Sequence, residues 1–135
     1  HPDYRAEHAF FRVLRLPYAG LTHLDRAFLA MAVLVRYNGN PELSYAAPVL
    51  HLLDEDDRRI ANAVGLALRL GHTVSGSAPD LIGRTTLKPT QEKLFLGLPV
   101  KDRDVFTGDA VERRLKTLAT ALGFSASALG KTSES

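Results

Sequence analysis

Residues 22–39 read THLDRAFLAMAVLVRYNG. Within them, the run from Ala27 to Val35 is entirely apolar, so a helix formed by it has no polar face and must be surrounded by protein. The run is too short to cross a bilayer, which needs about 20 apolar residues. The stretch therefore predicts the central helix of a small helical domain.

Signals for both ends of this helix are present in the sequence. Thr22 is a natural N-cap, and Asp25 stands three residues later in an acidic variant of the capping box. Arg36 suits the last turn, and Gly39 is expected to take the left-handed position that follows a helix. These signals predict that the helix lies between Thr22 and Gly39.

Composition places the chain among ordinary globular domains. It has 135 residues, of which 45% are hydrophobic and 24% charged, enough for one domain with a real core. It has no cysteine, which excludes disulfides and thiolate metal sites and favours a cytoplasmic location. A net charge of +2 does not by itself indicate a nucleic-acid partner, and no signal peptide or membrane span is visible.

The rest of the chain predicts a mainly α fold, a helical bundle followed by a small β-β-α unit. The predicted helices span Asp3–Leu16, a short segment from Pro48 to Leu53, and a long segment from the acidic run at Asp54 to about Val74. The predicted hairpin strands are Thr85–Lys88 and Lys93–Leu98, and a final helix spans Asp109–Leu122, capped by Thr107 or Asp109. The domain boundaries follow as a bundle over 1–82, a hairpin with its helix over 83–124, and a flexible tail over 125–135.

The long helix carries two further expectations. Its core face is predicted from the helical spacing of apolar side chains, which are Ile60, Ala63, Val64, Ala67 and Leu68. Gly65 falls on the opposite, polar side, where a glycine weakens a helix by about 1 kcal/mol relative to alanine. We therefore expect Gly65 to mark the close approach of a neighbouring segment.

Motif searches find no catalytic signature. The chain contains no P-loop, dinucleotide-binding, nucleophile-elbow or HExxH pattern. None of the five histidines forms a tight pair with an aspartate at a metal-binding spacing, although His23 and Asp25 are close enough to consider. Helix capping explains both residues without a metal. The sequence therefore predicts no catalytic and no metal-binding residue.

Arginine is the residue type that indicates a binding function. A basic stripe of Arg5, His8, Arg12 and Arg15 falls on one side of the first helix, and further arginines occur at Arg36 and Arg69. Guanidinium groups bind phosphate oxygens in a two-pronged geometry that lysine cannot reproduce, so a groove lined by several of them would hold a polyanion. The alternative is that they are solvated surface side chains whose stems cover apolar neighbours.

Several segments in this order resemble the C-terminal region of the exopolyphosphatase and guanosine pentaphosphate phosphatase family. They are Gly20–Gly39, Ala67–Thr73 (ALRLGHT), Leu94–Pro99 (LFLGLP), Gly108–Leu115 (GDAVERRL) and Leu122–Gly123. The resemblance covers nearly the whole chain, and the ordered set rather than any single segment carries it. The chain begins at His1 without methionine, inside a helical pattern. We therefore expect a piece of a longer protein, with a processed N-terminus as the alternative.

The resemblance implies a bacterial cytoplasmic enzyme. Its N-terminal part is an actin-like phosphatase that removes terminal phosphates from polyphosphate or guanosine pentaphosphate, usually with magnesium. The catalytic glutamate and glycine-rich loops belong to that part, so no catalytic residue and no cofactor are expected in this chain. The C-terminal part is similar to the His-Asp phosphohydrolase fold, whose metal-binding pair should precede His1, and His1 is its one expected remnant here.

Within the family, the C-terminal region helps to form the polyphosphate groove and the dimer interface. The resemblance therefore implies a homodimer, and its polyphosphate groove is consistent with the basic stripe. We predict that Arg5, Arg12, Arg15, Arg36 and Arg69 bind polyphosphate, and we expect no membrane or nucleic-acid partner. The first hypothesis is a non-catalytic domain that binds polyphosphate and dimerises. The alternatives are a metal-dependent His-Asp type phosphohydrolase active by itself, and a helical protein–protein interaction module.

Overall fold

The computed structural model describes residues 2–43, 45–77, 83–99 and 109–131. The fold is mainly helical with a small β unit, which confirms the predicted fold class. The elements in chain order are α1 (Pro2–Leu14), α2 (His23–Arg36), α3 (Ala47–Leu50), α4 (Glu55–Ser77), β1 (Thr86–Pro89), β2 (Lys93–Leu98), α5 (Asp109–Ala121) and β3 (Ala126–Lys131). The chain divides into two compact units within α4, between Ala67 and Leu68.

Helix α2 begins as predicted. The Thr22 hydroxyl accepts a hydrogen bond from the Asp25 backbone N–H at 3.0 Å, and the Asp25 carboxylate accepts one from the Thr22 N–H at 3.0 Å. Both halves of the capping box are therefore present, and two N–H groups that the helix leaves unpaired are satisfied.

The C-terminal end of α2 differs from the prediction by one residue. Asn38, with φ of 62°, takes the left-handed position that was expected for Gly39. The Asn38 N–H donates to the Val35 carbonyl at 2.9 Å and the Gly39 N–H to the Leu34 carbonyl at 2.8 Å, which is a Schellman motif. Asparagine tolerates this conformation better than other residues with a side chain, so an Asn-Gly pair does not reveal which member adopts it.

Gly39 is needed for packing instead. A Cβ atom at Gly39 would lie 2.5 Å from Leu34 Cδ1 and 2.7 Å from the Cβ of Ala6 in α1. Leu34 and Ala6 are both fully buried. The absence of a side chain at Gly39 therefore allows the chain leaving α2 to pass close to α1.

The core of the first unit is built mainly from α1 and α2, and Leu50 of α3 and Ala61 of α4 complete it. Phe10 of α1 is fully buried, and its ring makes edge-to-face contacts with Phe11 and Tyr45 at centroid distances of 5.4 and 5.5 Å. The expectation that the run from Ala27 to Val35 is buried on every side is wrong at Leu29, which is 38% exposed.

The predicted core face of α4 is also wrong. Ile60, Val64 and Leu68 are 47%, 38% and 49% exposed, whereas Ala61 is fully buried. The reason is the close approach expected at Gly65, where a Cβ atom would lie 2.5 Å from the Ala32 carbonyl oxygen of α2. Small residues let two helix backbones come together, so α4 presents Ala61 and Gly65 to α2 and leaves Ile60, Val64 and Leu68 exposed.

The second unit contains the predicted hairpin. Strands β1 and β2 are antiparallel, with Leu87 opposite Leu96. Alternate residues of β2 are buried on the face that α5 covers, and α5 contributes most of its predicted apolar side to the same core. These residues are Leu94, Leu96 and Leu98 from β2, and Val111, Leu115, Leu118 and Ala119 from α5. Leu122, which the prediction included, is 44% exposed. The suggested Thr107 cap lies outside the described residues.

The predicted flexible tail is wrong over Ala126–Lys131. These residues form β3, which pairs in parallel with β2 so that Lys93 lies opposite Ala126 and Leu98 opposite Lys131. Gly123 ends α5 as predicted, with φ of 91°. The sequence ASALGK has no alternation of apolar and polar residues, and its strand conformation depends on the ladder that β2 offers.

Candidate anion-binding site

The basic stripe of α1 lies on the protein surface. Arg5, His8 and Arg12 are all exposed and follow one another at spacings of three and four, so they share one side of the helix. They line a groove of about 570 Å³ together with residues at the end of α2. We call this the arginine groove, and its lining residues are Tyr4, Arg5, His8, Ala9, Arg12, Val13, Val33, Arg36 and Tyr37.

Arg36 enters the arginine groove from the last turn of α2. Its guanidinium carbon lies 4.2 Å from the centroid of the Tyr37 ring, which is a cation–π contact. Tyr37 is the C-cap residue of α2. The residue that ends this helix therefore also supports the Arg36 side chain through its ring. Tyr37 was not singled out from the sequence, because adjacent helical residues do not normally face each other.

The arginine groove carries positive charge without acidic neighbours in its lining. Three guanidinium groups and one imidazole line it, and no carboxylate does. Among the described residues, the ion pair given by the structure joins Arg59 to Asp56 at 3.5 Å, on α4. Cations that are not neutralised by carboxylates produce a local positive potential that attracts anions.

A second groove of about 590 Å³ runs along α1 next to the arginine groove. We call it the outer groove, and its lining residues are Tyr4, Glu7, His8, Phe11, Arg12, Arg15, Leu16 and Pro17. The guanidinium of Arg15 lies 5.8 Å from the centroid of the Phe11 ring. Tyr4, His8 and Arg12 line both grooves, so these side chains separate two neighbouring depressions.

The structure thus brings three of the five predicted residues together. Arg5, Arg12 and Arg36 line the arginine groove, and Arg15 lies in the outer groove with Arg12. Arg69 belongs to the second compact unit. All five remain predicted binding residues.

Two other arginines have structural partners in the first unit. The Arg26 guanidinium donates to the carbonyl oxygens of Leu14 and Tyr18 at 3.3 and 3.0 Å, which ties down the loop after α1. The Arg58 Nε–H donates to the carbonyls of Leu50 and Leu53, both at 3.2 Å. These arginines hold backbone carbonyls and do not line either groove.

Metal ligands do not converge in the described part of the chain. No group of three histidine, aspartate or glutamate side chains there could hold a metal ion. The Asp25 carboxylate of the suggested pair with His23 takes part in the capping box with Thr22, and His1 lies outside the described residues. Nor does any described helix have the length and apolar character needed to cross a membrane.

Comparison with known protein families gives a match along almost the whole chain. The family model described as exopolyphosphatase, C-terminal, matches residues 1–129. The chain belongs to the exopolyphosphatase C-terminal family. No curated protein matches the chain. The family match covers the first compact unit, most of the second, and every residue that lines the two grooves of this exopolyphosphatase C-terminal domain.

Proposed function

We propose that this exopolyphosphatase C-terminal domain binds the polyphosphate chain in the arginine groove and holds it for a catalytic part located elsewhere in the parent enzyme. One observation carries the proposal. Three guanidinium groups, from Arg5 and Arg12 of α1 and Arg36 of α2, line one groove whose lining contains no carboxylate.

The chemistry of the ligand matches this arrangement. Polyphosphate is a linear chain with negative charge on every unit, and each guanidinium can donate two parallel hydrogen bonds to one phosphate group. Arg12 lines both grooves, so a long chain held by Arg5, Arg12 and Arg36 can continue past Arg12 toward Arg15. Affinity should therefore increase with chain length.

The remaining parts of the proposal follow from the family resemblance. The domain by itself contributes no catalytic residue. The parent enzyme would hydrolyse phosphoanhydride bonds, with magnesium in its catalytic part, in the cytoplasm. The domain would also form a homodimer.

Salt dependence tests the binding proposal. Isothermal titration with long-chain polyphosphate should show binding that weakens by at least about tenfold between 0.1 and 1 M salt, because the screening length falls from about 10 Å to about 3 Å. Orthophosphate at equal phosphate concentration should bind far more weakly. If a double variant with Arg5→Ala and Arg12→Ala bound polyphosphate with the same affinity as the unsubstituted chain, the assignment of this groove would be refuted.

Guanosine pentaphosphate is a second candidate ligand, because two aromatic rings line the same groove. Tyr4 is 66% exposed, and Tyr37 is fixed beside Arg36. Aromatic rings can stack on a nucleobase. A competition experiment decides between the two ligands. If guanosine pentaphosphate displaces bound polyphosphate at a lower total phosphate concentration than free polyphosphate does, the groove prefers the nucleotide.

A further inference from the structure

His8 is the residue of the basic stripe that is not an arginine, and it lines both the arginine groove and the outer groove. It is exposed and stands three residues after Arg5 and four before Arg12. Residues at these spacings are neighbours on a helix surface, so His8 stands between the two arginines along one side of α1. The proposed function assigns binding to the arginines and gives His8 no role.

The charged and titratable groups around His8 come from α1 and α2, the two helices that line the grooves. They are Tyr4, Arg5, Glu7, Arg12 and Arg15 from α1, and Arg36 and Tyr37 from α2. Glu7 is the acidic residue in the two linings, and it lines the outer groove alone. It is adjacent to His8 in the sequence, and adjacent helical residues do not face each other.

The imidazole of His8 is available to a ligand. In the part of the chain that the structure describes, its side chain makes no hydrogen bond and no ion pair. A neutral imidazole offers one N–H donor and one lone pair, and the lone pair repels an anionic oxygen. The protonated imidazolium offers two N–H donors and a positive charge. The protonated form is therefore the one that suits a phosphate ligand.

Histidine also gives the grooves a charge that varies with pH. It is the side chain type whose charge ordinarily changes between about pH 5 and pH 8. Arginine stays protonated throughout this range, and glutamate and tyrosine ordinarily titrate outside it. Among the groups that line the two grooves, His8 is therefore the one expected to change its charge near neutral pH.

We propose that His8 is a proton-linked ligand of the polyphosphate chain, which it binds in its imidazolium form. The inference rests on the proposed function, because it adds a residue to the same site. A phosphate chain bound beside the ring favours the charged form, so a neutral imidazole takes up a proton from the buffer when the chain binds. Affinity is then highest where His8 is already protonated, and it decreases as the pH rises.

The position of His8 strengthens this coupling. His8 and Arg12 line both grooves, so a phosphate chain that continues from the arginine groove into the outer groove passes beside both residues. The imidazolium completes a row of cations from Arg5 to Arg15 at helical spacing. At higher pH the same row has a neutral position in its middle.

The Kd for long-chain polyphosphate, measured at constant ionic strength at about pH 5.5 and about pH 8, tests the inference. The unsubstituted chain should bind about fivefold more weakly at the higher pH, the factor that one exposed ion pair supports. His8→Gln should bind at both pH values as weakly as the unsubstituted chain does at the higher one. The terminal phosphates of the ligand also titrate near pH 6, but their contribution is the same for every variant.

A matched control removes a histidine elsewhere. His51 is an exposed residue of the same compact unit and lines neither groove. His51→Gln should therefore keep the full pH dependence. His8→Arg keeps a positive charge at every pH, and it should bind at the higher pH as tightly as the unsubstituted chain does at the lower one. Circular dichroism confirms that each variant is folded.

Calorimetry counts the proton directly. Titrations at one intermediate pH, in two buffers that differ in ionisation enthalpy, give the number of protons taken up on binding. The unsubstituted chain and His51→Gln should take up more protons than His8→Gln and His8→Arg. Equal uptake by all four chains, or the same ratio of Kd between the two pH values in all four, would overturn the inference.

The inference and the proposed function fail in different ways. If the unsubstituted chain bound no polyphosphate at either pH, both would be overturned. If polyphosphate bound through the arginines but His8→Gln changed Kd by the same factor at both pH values, the proton-linked role of His8 alone would be overturned. The expected result is polyphosphate binding by every chain, with pH dependence lost in the two His8 variants.

Discussion

Replacing Arg12 and Arg36 with alanine in one chain is expected to raise the Kd for long-chain polyphosphate by about a hundredfold. Arg12 comes from α1 and Arg36 from α2, and both line the arginine groove. Hydrogen bonds to charged groups contribute about 1.5–3 kcal/mol each, and about 1.4 kcal/mol is a tenfold change in Kd. Isothermal titration at fixed ionic strength measures the change.

The control variant removes the same charge elsewhere. Arg59 is an exposed residue of α4 and Arg113 an exposed residue of α5, and neither lines the arginine groove or the outer groove. Replacing both with alanine should change Kd by less than about threefold, since exposed charges are screened in water. Replacing Arg12 and Arg36 with lysine keeps the charge but not the paired donors, and should give an intermediate Kd. Equal losses in the alanine variants would mean that net charge alone controls binding.

Replacing Leu34 with alanine is expected to destabilise the chain by about 2–5 kcal/mol, the range for a fully buried leucine. Leu34 has no exposed surface and lies where α1 and the end of α2 meet, beside Ala6 and Gly39. Because small domains are stable by only about 5–15 kcal/mol, the loss is a large share of the total. Urea unfolding followed by circular dichroism measures it.

Leu29 provides a control in the same helix. It is the same residue type in α2, but 38% of its surface is exposed. Leu29→Ala should therefore cost about 1 kcal/mol or less. If both substitutions destabilised the chain equally, α2 would be buried on all sides, as its sequence alone suggests, and the packing described for Leu34 and Gly39 would be incorrect.

Local signals predicted the elements around the site well. The capping box at Thr22 and Asp25 depends on residues three apart, and the basic stripe of α1 depends on helical spacing, so both can be recognised without tertiary information. The sequence does not reveal that Arg36 shares a groove with Arg5 and Arg12, because this depends on how α1 packs against α2. The sequence indicated each cation, and only the structure shows which of them line one groove.

The errors share a physical cause, which is that tertiary contacts override local patterns. Apolar spacing assigned Ile60 and Val64 to the core, but the small surface at Ala61 and Gly65 permits a closer approach to α2 and is buried instead. Similarly, the segment Ala126–Lys131 has no strand pattern of its own and becomes β3 through its pairing with β2. Contacts of this kind depend on how the surfaces of distant segments fit together. The spacing of apolar residues along the sequence does not reveal them.

The location of bound polyphosphate is the most direct test of the central claim, that α1 and the end of α2 together form an anion-binding groove. Amide chemical shifts of the isotope-labelled chain, recorded during titration with polyphosphate, measure this location. The expected changes cluster in α1 from Tyr4 onward and at Arg36 and Tyr37, while amides of β1 and β2 stay unchanged. Changes centred on the sheet or on α5, with α1 unaffected, would contradict the claim.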